Sequence, residues 1–237
     1  MNIQLDPRYG RPERQTAFFR SVIDRTSALP GVETAAAIDY LPLGGGESII
    51  LLALEGYPLD RKIFFEGRSI TPRYFAAMGI PLLQGRDFTG HDAGGHPATA
   101  IVSLGFARKY FPGQNAVGKR LRFADDTQAP WLTIVGVVGD VRYRNLETAP
   151  PMQIYTPLWG AGPGSASVAA RTNLPPDNLA SNSGAIVHDL DPSPVVADVG
   201  TMNQLIRKAA AERRFQTLLL MIFGGWLSFC RWLVCTA

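Results

Sequence analysis

The chain has 237 residues, of which 46% are hydrophobic and 18% are charged, a composition typical of a folded protein with one large domain or two small ones. Its 23 basic and 20 acidic residues give a formal net charge of +3. Because they form no basic run that would grip phosphates, the sequence does not support nucleic-acid binding. Cys230 and Cys235 are the only cysteines, which excludes a disulfide framework and a thiolate metal site from the body of the chain.

Patterns of strand, helix and strand occur near both ends of the sequence. Near the start, an extended segment, a helical repeat and an alternating apolar segment follow one another at residues 3–5, 18–29 and 32–40. Towards the other end, the corresponding pattern covers residues 167–171, 177–190 and 194–199. We expect the two units to pair into one sheet with helices on a face.

The stretch between the two units is rich in glycine and in strand candidates. Two short helices are predicted, at residues 72–78 and 103–111, the second capped by Ser103. Strands are predicted at residues 48–54, 62–70, 120–123, 131–143 and 152–158. This material predicts an inserted mixed α/β lobe, and the whole pattern predicts an α+β fold.

A last helix is predicted to begin at Thr201, which forms a capping-box pattern with Gln204. No proline follows, so one helix can run from there into the apolar stretch of residues 218–230; a break at Gly224 and Gly225 is the alternative. Thirteen uncharged residues are too few to span a bilayer, which takes about twenty. We therefore predict a partial membrane segment whose apolar residues are Leu218, Leu219, Leu220, Met221, Ile222, Phe223, Trp226, Leu227 and Phe229.

Motifs that might carry chemistry are incomplete. Residues 113–120 nearly form a phosphate-binding loop, but Arg120 stands where a magnesium-binding hydroxyl belongs, and the flanking elements are in the wrong order. His91, Asp92 and His96 lie in a glycine-containing stretch that fixes no ligand geometry, and a solvated loop is the favoured interpretation. Ser103 lacks the elbow motif of a nucleophile. We expect no catalytic, cofactor-binding or metal-binding residue.

Several phrases of the sequence together resemble one family. They are LPGVETAAAIDYLPLGGG, SITPRYFAAMGIPLLQGRDF, AIVSLGFARKYFPGQNAVGKRLRF, WLTIVGVVGDVRYRNLETAPPMQIYTPL and AERRFQTLLLMIFGG. They are similar to the MacB-like extracytoplasmic core domain of ABC transporter permeases, in particular FtsX-like permeases of the acidobacterial type. The resemblance covers nearly the whole chain.

The resemblance implies a non-catalytic transport component of the inner membrane. Such permeases have one transmembrane helix, this domain outside the cytoplasm, and three more helices; they work with a separate ABC ATPase and are expected to form a permease dimer. The implied division is a porter-like subdomain at residues 1–70 and 161–200, an inserted lobe at 71–160, and a connecting helix with a truncated membrane segment at 201–237. The cargo is not implied.

The sequence departs from the family pattern at both ends. After Gly225 the sequence no longer follows the family pattern, and no apolar helix precedes the domain. We therefore expect a fragment of a permease. Arg213 and Arg214 before the apolar run conflict with an external domain, because basic residues favour the cytoplasmic side. A membrane-anchored binding module and a non-functional truncated permease remain the alternatives.

Overall fold

The computed structural model describes residues 1–44, 46, 48–57, 63–92, 98–124, 126, 128–143, 149–160, 162–173, 175–208 and 210–211. Its strands are β1 (Asn2–Gln4), β2 (Val32–Ile38), β3 (Ile49–Leu54), β4 (Ile63–Ile70), β5 (Leu82–Gly85), β6 (Thr99–Ser103), β7 (Arg120–Phe123), β8 (Leu132–Val138), β9 (Gln153–Pro157), β10 (Ser165–Thr172) and β11 (Val195–Ala197). Its helices are α1 (Pro12–Ser27), α2 (Tyr74–Met78), α3 (Leu104–Tyr110) and α4 (Pro176–Leu190). A further helix, here called the connecting helix, covers residues 202–208.

The two strand, helix and strand units interleave in one part of the sheet. The strand order there is β11-β1-β10-β2, so each strand of one unit lies beside a strand of the other, antiparallel to it. Helices α1 and α4 pack on the same face and bury Phe19, Val22 and Val187 against Ile3 and Val168 of the strands. This is the pairing that the sequence predicts.

Six strands close into a ring in the order β4-β3-β7-β8-β6-β9 and back to β4. Every strand of the ring contributes to one apolar cluster that fills its interior, and helix α3 adds Phe106 and Tyr110. Each of these six strands therefore has a paired neighbour on both sides. The sequence predicted a mixed lobe here but not its closure, because the β4–β9 and β6–β8 pairs are parallel and join distant segments.

A second apolar cluster joins the ring to the interleaved strands. It contains Ala36 and Ile38 of β2, Tyr74 and Phe75 of α2, and the outward-facing Ile101, Val138 and Tyr155 of the ring. Helix α2 ends at Gly79, whose φ of 70° lies in the left-handed region that glycine adopts without strain. Helix α2 therefore packs between the ring and the interleaved strands and contributes to the contact between them.

Strands β3 and β4 belong to the ring by their pairing, although the sequence division places residues 1–70 in the porter-like subdomain. Strand β4 also reaches β2 through the pair Ile38 and Ile70. The division at residues 70 and 160 stays a prediction. Within the described part of the chain, no helix combines the length and apolar character required to cross a membrane; the predicted membrane residues, 218–229, lie outside it.

Candidate functional site beside the connecting helix

A cleft of about 190 Å³ opens beside the connecting helix. Strand β1 pairs with only the first residues of β10, so the following residues of β10 face this space instead of a strand. Helix α4 and the chain from Asp198 to Leu205 form its other walls. The apolar part of the lining consists mainly of Met1, Val168, Leu179, Val199, Met202 and Leu205.

The chain turns sharply between the sheet edge and the connecting helix. Only residues 198–200 separate the end of β11 from Thr201. Asp198 has a φ of 50°, in the left-handed region, which aspartate enters more readily than most side chains. The short link attaches the helix closely to the edge strand of the sheet.

Thr201 and Gln204 exchange the two hydrogen bonds of a capping box. The Thr201 amide donates to Oε1 of Gln204 at 2.8 Å, and the Gln204 amide donates to Oγ1 of Thr201 at 3.2 Å. These bonds satisfy amide groups that have no partner within the first helical turn. The first turn of the connecting helix is thereby stabilised by its own side chains.

The connecting helix is amphipathic where the structure describes it. Met202 and Leu205 are half-buried and line the cleft, whereas Asn203, Arg207 and Lys208 are exposed. At the amino end of β1, the backbone of Met1 forms hydrogen bonds in both directions with Val168. Burial lowers the pKa of the Met1 amine, and the nearby Asp198 partly opposes that shift. The cleft therefore offers packing surface and hydrogen-bonding groups.

The loop that resembles a phosphate-binding motif has the wrong surroundings. It follows helix α3 and leads into strand β7, whereas a phosphate loop follows a strand and leads into a helix. Arg120 donates from Nε to Oε2 of Glu55 at 3.0 Å, so its side chain is engaged in an ion pair. This loop therefore connects helix α3 to strand β7 of the ring.

The expectation of a solvated loop is wrong for Asp92, which is buried. Its carboxylate accepts hydrogen bonds from Nη1 and Nη2 of Arg86 at 2.8 and 2.9 Å, and from Thr89 and Thr99. The Arg86 ion pair is the main reason that the pKa of Asp92 lies well below its usual range. The Asp92 carboxylate thus has a structural role, as the acceptor of these hydrogen bonds.

The other candidate ligands of this stretch form no described metal site with Asp92. His91 is exposed, His188 lies on α4, and His96 falls outside the described residues. Among the residues that the structure describes, no three His, Cys, Asp or Glu side chains lie together as metal ligands would.

A buried polar cluster around Arg68 was not predicted. The guanidinium lies 4.5 Å from the centre of the Tyr143 ring, 3.5 Å from Oε2 of Glu66, and donates to the carbonyls of Gly67 and Gly46. The Tyr143 hydroxyl lies 3.2 Å from that of Tyr74. A charged residue in a strand is usually predicted to face solvent. The one indication of burial in the sequence is that Arg68 lies two residues before the apolar Ile70, and therefore on the same face of the strand.

Two solved structures have a fold similar to that of this chain. The periplasmic region of MacB from Actinobacillus actinomycetemcomitans has a TM-score of 0.54 at 16% identity, covering 79% of this chain and 82% of that one. The extracellular domain of the noncanonic ABC-type transporter YknZ from Gram-positive bacteria has a TM-score of 0.51 at 16% identity, covering 75% of this chain and 87% of that one. These likenesses establish the fold alone.

Comparison with protein families gives a specific match, whereas no curated protein matches the chain significantly. The profile of the MacB-like periplasmic core domain matches residues 3–186. This range contains the first strand, helix and strand unit, the whole ring, and the second unit as far as the last turn of α4. The chain therefore belongs to the MacB-like periplasmic core domain family of ABC transporter permeases.

Proposed function

We propose that the chain is a non-catalytic transport component, which relays motion driven by a separate ABC ATPase to a partner or cargo outside the cytoplasm. The observation that carries this proposal is the attachment of the connecting helix: it is capped at Thr201 and joined to β11 by three residues, 198–200. Such an attachment suits a rod that moves a folded body.

The contacts of the helix suggest how motion would spread. Met202 and Leu205 line the same cleft as Leu179 of α4 and Val168 of β10. Because α4 packs on α1 and β10 pairs with β1 and β2, a displacement of the helix bears on both helices and on the interleaved strands. Close-packed elements transmit such displacements because they do not deform freely.

The membrane part of the proposal rests on the sequence beyond the described residues. We propose that residues 218–229 enter the inner membrane, that the globular domain lies outside the cytoplasm, and that two permease chains form a dimer. The ATPase is a different chain, which acts through the membrane part of the permease. Analytical ultracentrifugation in detergent checks the dimer: a monomer at all concentrations contradicts it.

The coupling of helix and body is tested by a charge placed in the cleft. Leu205→Asp puts a carboxylate against the apolar lining, so we expect faster amide hydrogen exchange in Val168 to Ala170 and in α4. Asn203→Asp is the matched control, because it adds the same charge at an exposed position of the same helix that does not line the cleft. Equal effects of the two substitutions on those amides contradict the proposed coupling.

The non-catalytic role is tested on the purified full chain with ATP and magnesium. We expect no nucleotide turnover, because the ATPase is a separate protein. Turnover that co-purifies with the chain and survives further purification contradicts the proposal.

The alternative of a membrane-anchored binding module is favoured by the cleft itself. It predicts that a soluble ligand protects the Val168 and Leu205 amides from hydrogen exchange.

A further inference from the structure

One hydroxyl group in the lining of the cleft has no hydrogen-bonding partner among the described residues. Thr26 lies in the last turn of α1, is 1% exposed and borders the cleft. Its Oγ1 atom forms no hydrogen bond with the described protein. Ser183 of α4 places a second buried hydroxyl in the same lining. Because a buried hydroxyl without a partner costs free energy, a ligand that bonds to Thr26 recovers that cost.

The other polar groups of the lining are engaged or exposed. Thr201 and Gln204 bond to each other in the capping box, and the Met1 amine donates to the carbonyl of Val168 at 3.0 Å. Among the described residues that border the cleft, Asp198 has the only charged side chain, and it is exposed. The buried part of the cleft therefore offers a neutral hydrogen-bonding group and no charged side chain.

The walls of the cleft suit an aromatic ring. They include Met202 and Leu205 of the connecting helix, Leu179 of α4 and Val168 of β10. A methionine side chain adapts to the shape of its neighbours, and its sulfur makes favourable contacts with aromatic rings. The volume of about 190 Å³ slightly exceeds the volume of about 150 Å³ at which an apolar cavity accommodates benzene. The cleft is thus large enough for one ring with a small polar substituent.

We propose that the cleft binds a small neutral aromatic molecule whose single polar group forms a hydrogen bond with Thr26. Phenol represents this class. A charged ligand is disfavoured, because the apolar walls do not replace the water that its charge loses. The bound molecule contacts the connecting helix, α4 and β10 together, and so holds the helix against the body. The inference rests on the described cleft and requires neither the membrane segment nor the ATPase of the proposed function.

Methionine methyl signals in NMR spectra of the full chain, solubilised in a nonionic detergent, report binding at this place. Met202 lines the cleft, whereas Met78 and Met152 pack against the other apolar clusters. We expect phenol and toluene to shift the Met202 signal in a saturable manner and to leave the signals of Met78 and Met152 in place. Met202→Leu assigns the signal. A Met202 signal that shows no saturable shift overturns the proposal.

Thr26→Val removes the hydroxyl and retains the branched shape of the side chain. We expect the Kd of phenol to rise by about 3- to 10-fold and that of toluene to change by less than about twofold, because only phenol loses a hydrogen bond. Comparing each ligand between two variants cancels its partition into detergent. Thr26→Ser keeps the hydroxyl and should hold the phenol Kd within about twofold of the wild type. Unshifted Met78 and Met152 signals verify that each variant is folded.

The chain offers a matched control in Thr34, whose hydroxyl is also buried without a partner among the described residues but does not border the cleft. Thr34→Val should leave the binding of both ligands unchanged. If Thr26→Val weakens phenol and toluene equally, or if Thr34→Val acts as Thr26→Val does, the Thr26 hydroxyl is not the group that binds the ligand and the proposal is wrong. Benzoate that binds as tightly as phenol overturns the neutral class.

These outcomes are distinct from those that test the proposed function. Nucleotide turnover by the chain, or a monomer in detergent, contradicts the transport role and leaves the shift of the Met202 signal unaffected. Failure of phenol to bind removes the ligand site and leaves the exchange of the β10 and α4 amides as the measure of the relay.

Discussion

Arg68 holds a positive charge inside the molecule, with 1% of its side chain exposed. Removing an arginine from water is costly unless its charge and its donors find partners. Here the partners come from separate segments: Glu66 from the same strand, Tyr143 from the segment after β8, and the Gly46 carbonyl from the segment after β2. The side chain therefore joins residues from two segments that follow different strands, β2 and β8.

Replacing Arg68 by methionine should destabilise the protein by about 3–5 kcal/mol, because it removes one member of a buried ion pair with Glu66 and the donor to the carbonyls of Gly67 and Gly46. Urea unfolding followed by circular dichroism measures the change. Arg108→Met, at an exposed position of α3, is the control and should alter stability by less than about 0.5 kcal/mol. A similar small change in both variants would show that the buried charge is dispensable.

Asp92 should make the stability depend on pH in the acid range. Its pKa in the folded protein is lowered, chiefly by Arg86 and then by the amide and hydroxyl of Thr89 and the hydroxyl of Thr99. A lowered folded pKa contributes stability that is present above the unfolded pKa, about 4, and is lost as the pH falls towards the folded value.

Asp92→Asn should therefore lower stability at pH 7 by about 2 kcal/mol, since it weakens hydrogen bonds to a charged acceptor. It should also make the loss of stability between about pH 5 and pH 3 shallower than in the wild type. The measurement is the midpoint of urea unfolding at several pH values. Parallel curves for the two proteins would mean that another group controls the acid transition.

At the scale of elements, the local patterns of the sequence were sufficient wherever neighbouring residues decide the structure. The helical repeat around Phe18 and Val22 became α1, and the Thr201 and Gln204 pattern is present as two reciprocal hydrogen bonds. The ring was not predictable in this way, because its closure depends on parallel pairs between segments far apart in the chain, such as β4 and β9. Nothing local in either strand specifies its partner.

The candidate site was only partly predictable for a related reason. Its cap is a local motif, but its cleft arises because β1 is shorter than β10 and because α4 and residues 198–205 meet there. The burial of Asp92 likewise depends on Arg86 and on Thr99 of β6. In each case the missing information is a contact between separate elements, which periodicity does not contain.

The cap of the connecting helix should control how firmly that helix is formed. Thr201→Ala removes the acceptor for the Gln204 amide and should cost about 1 kcal/mol of local helix stability. Hydrogen exchange of the Gln204 and Leu205 amides should accelerate about fivefold. Asn203→Ala is the control, because Asn203 is exposed in the same helix and alanine favours helix formation. If both variants exchange alike, the cap does not hold the helix.

On the scale of the whole molecule, the ring and the interleaved strands are parts of one packed body. Strand β4 runs through the ring and pairs at Ile70 with Ile38 of β2. The cluster around Phe75 takes side chains from β2, from α2 and from the outer side of the ring. We expect a body built in this way to move as a unit, as the proposed mechanical relay requires.

We predict that the ring and the interleaved strands unfold in one cooperative transition, since loss of either exposes the shared cluster around Phe75. The chain provides a natural probe in each part. Trp131 lies beside Arg122 of the ring, and Trp159 lies beside Arg20 of α1. With Trp226 and Trp232 replaced by phenylalanine, Trp131→Phe leaves a probe of the interleaved strands, and Trp159→Phe leaves a probe of the ring.

The midpoints of urea unfolding, each compared with circular dichroism of the same variant, should coincide for the two probes. Using circular dichroism as the internal reference removes the effect of each substitution on overall stability, because both signals come from one protein. A Trp131 signal that is lost at lower urea than the circular dichroism signal would mean that the ring unfolds alone. The two parts would then be joined by a flexible contact, and motion of the connecting helix would not reach the ring.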